Sequence, residues 1–223
     1  MLSIKTFFDG NKRPNPSLAS TSSLYIMSAV LLFCTAEEAK PLMPKVSQVK
    51  NVNGSQSTTI FWVVESRTCP ISADGFKREL QQNEPFESEF IGAATEECQE
   101  WAREKQSQTN FVEPDIIAVA DARTARDNTI LMCYYEEEDN PEESPLEFPG
   151  FGALPQRLNT WYHFRIDYET AALFFVNLVY CPPDMAYPAF FGRKEELTDD
   201  NGVFDAEKAH LYVVGKGTEA GET

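Results

Sequence analysis

Residues 24–36 read LYIMSAVLLFCTA, and the run Ala29–Cys34 (AVLLFC) at their centre decides the fold. Thirteen residues are too few to cross a bilayer, which takes about 20 in a helix. Six consecutive apolar residues bounded by polar ones describe instead a strand covered on both faces, as strands of a parallel sheet are. The competing reading is a secretion signal cleaved near Ala36, with a basic segment, an apolar segment and small residues in order. Against it stand a leading segment of more than twenty residues containing Asn11, Pro14, Asn15 and Pro16 and no disulfide pattern downstream. The strand reading makes 1–26 a flexible leader or extension, and Met27 an alternative start.

Outward from that strand the elements alternate. Thr35 and Glu38 have the spacing of a capping box, while Pro41 and Pro44 keep any helix there short. Thr58–Val64 (TTIFWVV) is β-branched and aromatic, a second strand. Ser72–Leu80 is expected to be a helix with Phe76 and Leu80 on one face, and Phe86–Ala94 a strand. Thr95 is placed to cap a helix whose inner face is Cys98, Trp101 and Ala102, with Glu96 and Glu97 favoured by the dipole at its start. Asp115–Ala120 and Thr129–Tyr135 read as strands. The eight residues between them cannot house a crossover helix, so an antiparallel hairpin is expected. Trp161–Tyr168 alternates as a strand, Ala171–Tyr180 is apolar without a deciding period, and Met185–Leu197 is an interrupted short helix. The expected architecture is α/β: one compact domain over 27–214, a mixed, partly parallel sheet flanked by short helices, and a disordered tail over 215–223.

The chain has 223 residues, 19 Lys+Arg and 35 Asp+Glu, a formal charge of −16. Its basic residues are unevenly spread: from Met27 onward 16 basic residues face 34 acidic ones. Such a body repels phosphate backbones and anionic lipid surfaces, which disfavours nucleic acid and membranes as partners and favours a basic protein or a cation. With 42% hydrophobic residues it can still build a core. The five cysteines, at 34, 69, 98, 133 and 181, show no metal-ligand spacing. Their odd number points to a reducing compartment, the cytoplasm.

Three segments resemble an uncharacterised family of small acidic, mostly bacterial proteins known only as a domain of unknown function. They are Ala29–Thr35; Val119-Ala120-Asp121 with Thr124, Asp127 and Ile130–Met132; and Phe164-Arg165, Asn177-Leu178, Tyr187–Phe191 and Asn201–Phe204. Asn201 stands where the family usually has Asp, and the insertion around Glu136–Pro155 is longer. The resemblance implies a compact α/β domain and brings no activity with it.

No nucleophile elbow, phosphate loop, dinucleotide fingerprint or zinc-protease motif occurs, so no cofactor is expected. Two candidate sites remain. Carboxylates following expected strands, Glu37 and Glu38, Glu65 and Asp121, converge on a hard cation such as Mg²⁺ if those strands are parallel neighbours. The turn Asp121, Arg123, Thr124, Arg126, Asp127 either holds itself together through Asx-type bonds and ion pairs or offers two arginines to an anionic group. Beside the acidic stretch Glu136–Glu147, Phe148 and Phe151 are candidate aromatic anchors for a partner. The leading expectation is a non-catalytic interaction domain for a basic protein, with a cation-dependent enzyme second.

Overall fold

The computed structural model describes residues 29–51, 58–109, 111–137 and 146–215. The leader at 1–26, the question of a cleaved signal, and the tail beyond Gly215 lie outside the described residues.

Strand β1 (Ala29–Cys34) is buried at every residue. It pairs in parallel with β2 (Phe61–Val64) on one side and β3 (Val112–Ala120) on the other. Next to β3 lies β4 (Thr129–Glu136), then β7 (Thr160–Asp167), both joined antiparallel. The sheet order is therefore β2-β1-β3-β4-β7, a mixed five-stranded sheet in a single compact domain. A separate two-stranded hairpin is formed by β5 (Glu147–Phe148) and β6 (Gly152–Ala153). Among the described residues no helix is long and apolar enough to cross a membrane.

The continuous apolar run of β1 is explained by its neighbours. Val30, Leu32 and Cys34 face one core with α1 (Met43–Val46), α4 (Ala171–Tyr180), α5 (Pro183–Tyr187) and α6 (Ala206–Val213). Ala29, Leu31 and Phe33 face a second core beneath α2 (Thr95–Lys105). Phe33 meets Phe90 and Trp101 edge to face at 4.9 and 5.7 Å there. The opposite core is built on Phe164, Phe174, Phe190 and Phe204, with centroids 5.1–6.4 Å apart. Truncating a side chain so enclosed, such as Leu32→Ala, costs about 2–5 kcal/mol.

The hairpin expected at 115–135 is present, with one turn of helix, α3 (Thr124–Asp127), at its tip. It ends at Asn128 in the left-handed region (φ 59°), where asparagine is tolerated better than most residues. Helix α2 starts at Thr95, but Ala94 is its N-cap and the Glu97 carboxylate accepts the Ala94 N–H at 3.0 Å.

Three expected elements differ. The capping box at Thr35 and Glu38 does not form. Thr35 continues the strand by donating its N–H to the Ala120 carbonyl at 2.9 Å, and Glu37–Leu42 is a 3₁₀ turn without a side-chain cap. The helix expected at Ser72–Leu80 shrinks to one 3₁₀ turn, Ala73–Gly75, because Phe76 and Leu80 enter opposite cores and Lys77 pairs with Val63 between them. Phe86–Ala94 is a series of turns, not a strand; its alternation reflects Phe86 and Phe90 dropping into the two cores.

Candidate functional site

The carboxyl ends of β1, β2 and β3 lie side by side, as the cation hypothesis required, yet Glu37, Glu65 and Asp121 are each paired with a base of the chain. Glu65 meets Lys77 at 2.9 Å and Glu37 meets Lys40 at 3.0 Å, while Glu38 is exposed. Asp121 is held by both terminal nitrogens of Arg165. Among the described residues no group of three or more histidine, cysteine, aspartate or glutamate side chains is placed to hold a metal ion. For Glu37 and Asp121, two of the three expected metal ligands Glu37, Glu38 and Asp121, Lys40 and Arg165 supply the positive charge that a cation was expected to supply.

Asp121 is the hub of the turn. Its Oδ1 accepts Arg165 Nη1 at 3.0 Å and the backbone N–H groups of Arg123 and Thr124 at 3.0 and 3.1 Å. The buried Thr124 hydroxyl in return accepts the Asp121 N–H at 3.1 Å. Burial pushes the Asp121 carboxyl up, but Arg165 and the two backbone donors outweigh it and hold the group below its ordinary value. Asp127 Oδ2 accepts Arg123 Nε at 2.7 Å, and its Oδ1 accepts the Thr129 N–H and hydroxyl at 3.1 and 2.6 Å. Arg123 also donates to the Asn201 carbonyl at 2.7 Å, tying α3 to the 199–203 turn. Asp121, Thr124 and most of Arg123 are therefore spent on internal bonds. Arg126 is exposed.

Arg123, Arg126 and Asp127 line one wall of a cavity of about 630 Å³ shared with Thr129, Asp167, Asp199, Asn201 and Val203. A second cavity of about 760 Å³ continues from it through Asp167, Asp199 and Val203 toward the start of α6. Together they form one groove bordered by Asp127, Asp167, Glu169, Glu196, Asp199, Asp205 and Glu207, against Arg123, Arg126 and Lys208. Leu173, Leu197 and Val203 give it an apolar floor. Several acids are fixed in place by backbone donors: Asp199 Oδ1 accepts the Val203 and Asn201 N–H groups at 2.7 and 2.9 Å, and Asp205 Oδ1 accepts that of Lys208 at 2.8 Å. These donors at Asp199, and Arg193 beside Glu196, hold both carboxyls below their ordinary values, so the groove keeps its charge at neutral pH.

Phe148 is buried against Tyr187, ring centroids 6.3 Å apart, and offers no surface to a partner. That anchor role is corrected: the hairpin turns Phe148 inward to complete a core. Phe151 is 36% exposed and packs against Gly192, where a Cβ would sit 2.7 Å from its ring. The acids of the 196–207 stretch were not singled out from sequence; the dense Asp199-Asp200-Asn201-Gly202 turn and the helix-capping Asp205 are the signal that marks them.

Comparison with protein-family models, with curated proteins and with solved structures returns no match.

Proposed function

We propose that the protein is a non-catalytic interaction module whose acid-lined groove receives a basic segment of a protein partner. The observation that carries this reading is the groove itself: seven carboxylates against three bases, over an apolar floor. Charge of one sign in a concave wall steers an oppositely charged segment and fixes its register. The apolar floor accommodates the methylene stems of lysine and arginine, which bury while their heads stay with the acids. A cytoplasmic location belongs to the same reading and is supported by five cysteines that are all free thiols. So does kinship with the uncharacterised acidic family, supported by Asp121, Thr124 and Asp127 forming one bonded turn.

The test is a titration of the protein into a fluorescein-labelled oligo-lysine peptide, followed by polarisation. Binding is expected to weaken steeply between about 50 and about 500 mM salt as the charges are screened, and to weaken again in the Glu169→Gln/Glu207→Gln double variant. A peptide that stays free at the lowest salt, or binds the double variant equally well, overturns the reading.

A further inference from the structure

The acid-lined groove holds charge that the domain around it leaves unneutralised. Of its seven carboxylates, Asp127 pairs with Arg123 and Glu196 with Arg193. Asp167, Glu169, Asp199, Asp205 and Glu207 form no ion pair among the described residues. Asp167 and Asp205 each commit only Oδ1, to the backbone N–H of Glu169 and of Lys208 at 2.8 Å, and leave Oδ2 open. Glu207 is exposed beside them. The strand-end acids Glu37, Glu65 and Asp121 differ, because each has a base of the chain against it. Five carboxylates gathered without bases repel one another, and a cationic segment laid among them relieves that repulsion.

The stretch of sequence ahead of β1 has the opposite sign. Residues 1–26 carry Lys5, Lys12 and Arg13 against Asp9 alone, whereas the remainder sets 16 basic residues against 34 acidic ones. Its attachment point is Ala29. Strand β1 runs from Ala29, beside Val112, to Cys34, beside Ala120, and the groove opens at that second end, where Thr129 faces Asp167. The offset is about 17 Å along the strands and, over three strand spacings, about 14 Å across them. Sixteen residue steps separate Arg13 from Ala29. A chain of that length reaches up to about 53 Å, enough for a path around the outside of the sheet.

We propose that the chain's own basic leader, through Lys5, Lys12 and Arg13, occupies the groove and is displaced when a partner's basic segment enters. The proposal rests on the reading above that the groove receives a basic segment, and it assigns the first such segment to the chain itself. The cationic heads meet the open oxygens of Asp167, Asp205 and Glu207, and the methylene stems lie on Leu173 and Val203. Tethering makes weak contacts sufficient, because a linked segment acts at an effective concentration in the mM range. A partner then competes against the leader, and its apparent affinity falls with the fraction of time the groove is filled.

The unmodified full chain is treated with a water-soluble carbodiimide, which joins an amine to a carboxylate only where the two touch. The monomer is then digested and read by mass spectrometry. Lys5 or Lys12 joined to Asp167, Glu169, Asp199, Asp205 or Glu207 is expected at about 50 mM salt, and suppression of these links at about 500 mM. Leader lysines joined to no acid, joined evenly to acids over the whole body, or joined to the groove only in dimers each overturns the proposal. The second measurement repeats the oligo-lysine titration on the Lys5→Gln/Lys12→Gln/Arg13→Gln variant of the full chain. Its peptide affinity is expected to rise about threefold or more over wild type, as the accessible fraction of the groove grows; equal affinity overturns the proposal. The two readings fail separately. Groove cross-links in wild type, with no peptide bound by either protein, overturn the partner reading alone. Peptide bound equally by both proteins, without groove cross-links, overturns the docking of the leader alone.

Discussion

Arg165 reaches over an intervening strand to hold Asp121. Arg165 stands on β7, opposite Leu131 of β4, and Leu131 in turn faces Val119 of β3, two residues before Asp121. The guanidinium spans β4 and binds both carboxylate oxygens, with 11% of its side chain exposed. Through this one pair the outer antiparallel strand is fastened to the end of a central parallel one.

Removing Arg165 leaves a partly buried carboxylate with its two backbone donors and the Thr124 hydroxyl but no positive charge beside it. Arg165→Met is expected to cost about 2–3 kcal/mol at neutral pH, the scale of hydrogen bonds to a charged group. Because the Asp121 carboxyl is held below its ordinary 3.8 in the folded protein, the pair's contribution is complete above that value. It fades as pH falls through the folded-state value. Urea unfolding by circular dichroism should show the gap between wild type and variant closing in acid. A gap that persists unchanged at the lowest pH argues against the ion pair as its source.

On the same face of β7 as Arg165, Gln99 Nε2 lies 2.7 Å from His163 Nε2. An amide nitrogen only donates, so the imidazole accepts and carries its proton on Nδ1. Desolvation and then Lys194 lower the His163 value below 6.5, with Glu96 opposing. The neutral ring is thus the form favoured by folding. Its contribution is complete above 6.5 and lost as pH falls through the lowered value. An NMR titration of the His163 ring is expected to give a midpoint below that of an unfolded control; a higher midpoint would refute the assignment.

Gly192 exists to let Phe151 lie on it. Gly192→Ala places a methyl 2.7 Å from the ring and is expected to cost about 1–3 kcal/mol by overpacking. The same substitution in a Phe151→Ala background should cost far less. Additive losses in thermal melts of the four proteins would mean the contact is not what constrains the position.

The cysteines should sort by burial. Cys34 is pushed up to about 11, and Cys98 and Cys133 to about 12, in each case chiefly by desolvation. Cys69 and Cys181 are only partly buried. Alkylation of the native protein is expected to modify Cys69 and Cys181 and spare the other three until denaturant is added. Peptide mass spectrometry reads the order directly, and early modification of Cys133 would contradict the packing of the second core.

What the chain's order of residues reveals depends on whether a signal is local. AVLLFC could be assigned because a strand buried on both faces is apolar throughout, whatever its neighbours. The 115–135 hairpin was legible from connection length alone. Phe76 and Leu80 misled because their spacing suits a helix face, while their actual destinations lie on opposite sides of the sheet, a fact set by Lys77 pairing with Val63. Asp121 was identifiable as a strand-end acid, but its partner is 44 positions away, and nothing near it in sequence distinguishes an ion pair from a metal ligand. Phe148 and Phe151, three residues apart in a Gly-rich turn, separate into core and surface only once the hairpin has chosen its inner face.

Both margins of the main sheet are interrupted by bridges from elsewhere in the chain. Val63 donates to the Lys77 carbonyl at 2.8 Å, and the Phe204 N–H donates to Arg165 at 2.7 Å. A visiting polypeptide laid along β2 or β7 would find those main-chain groups already taken. β-augmentation is closed to this molecule at those two points, and the bridges break each edge as a continuous template for an added strand.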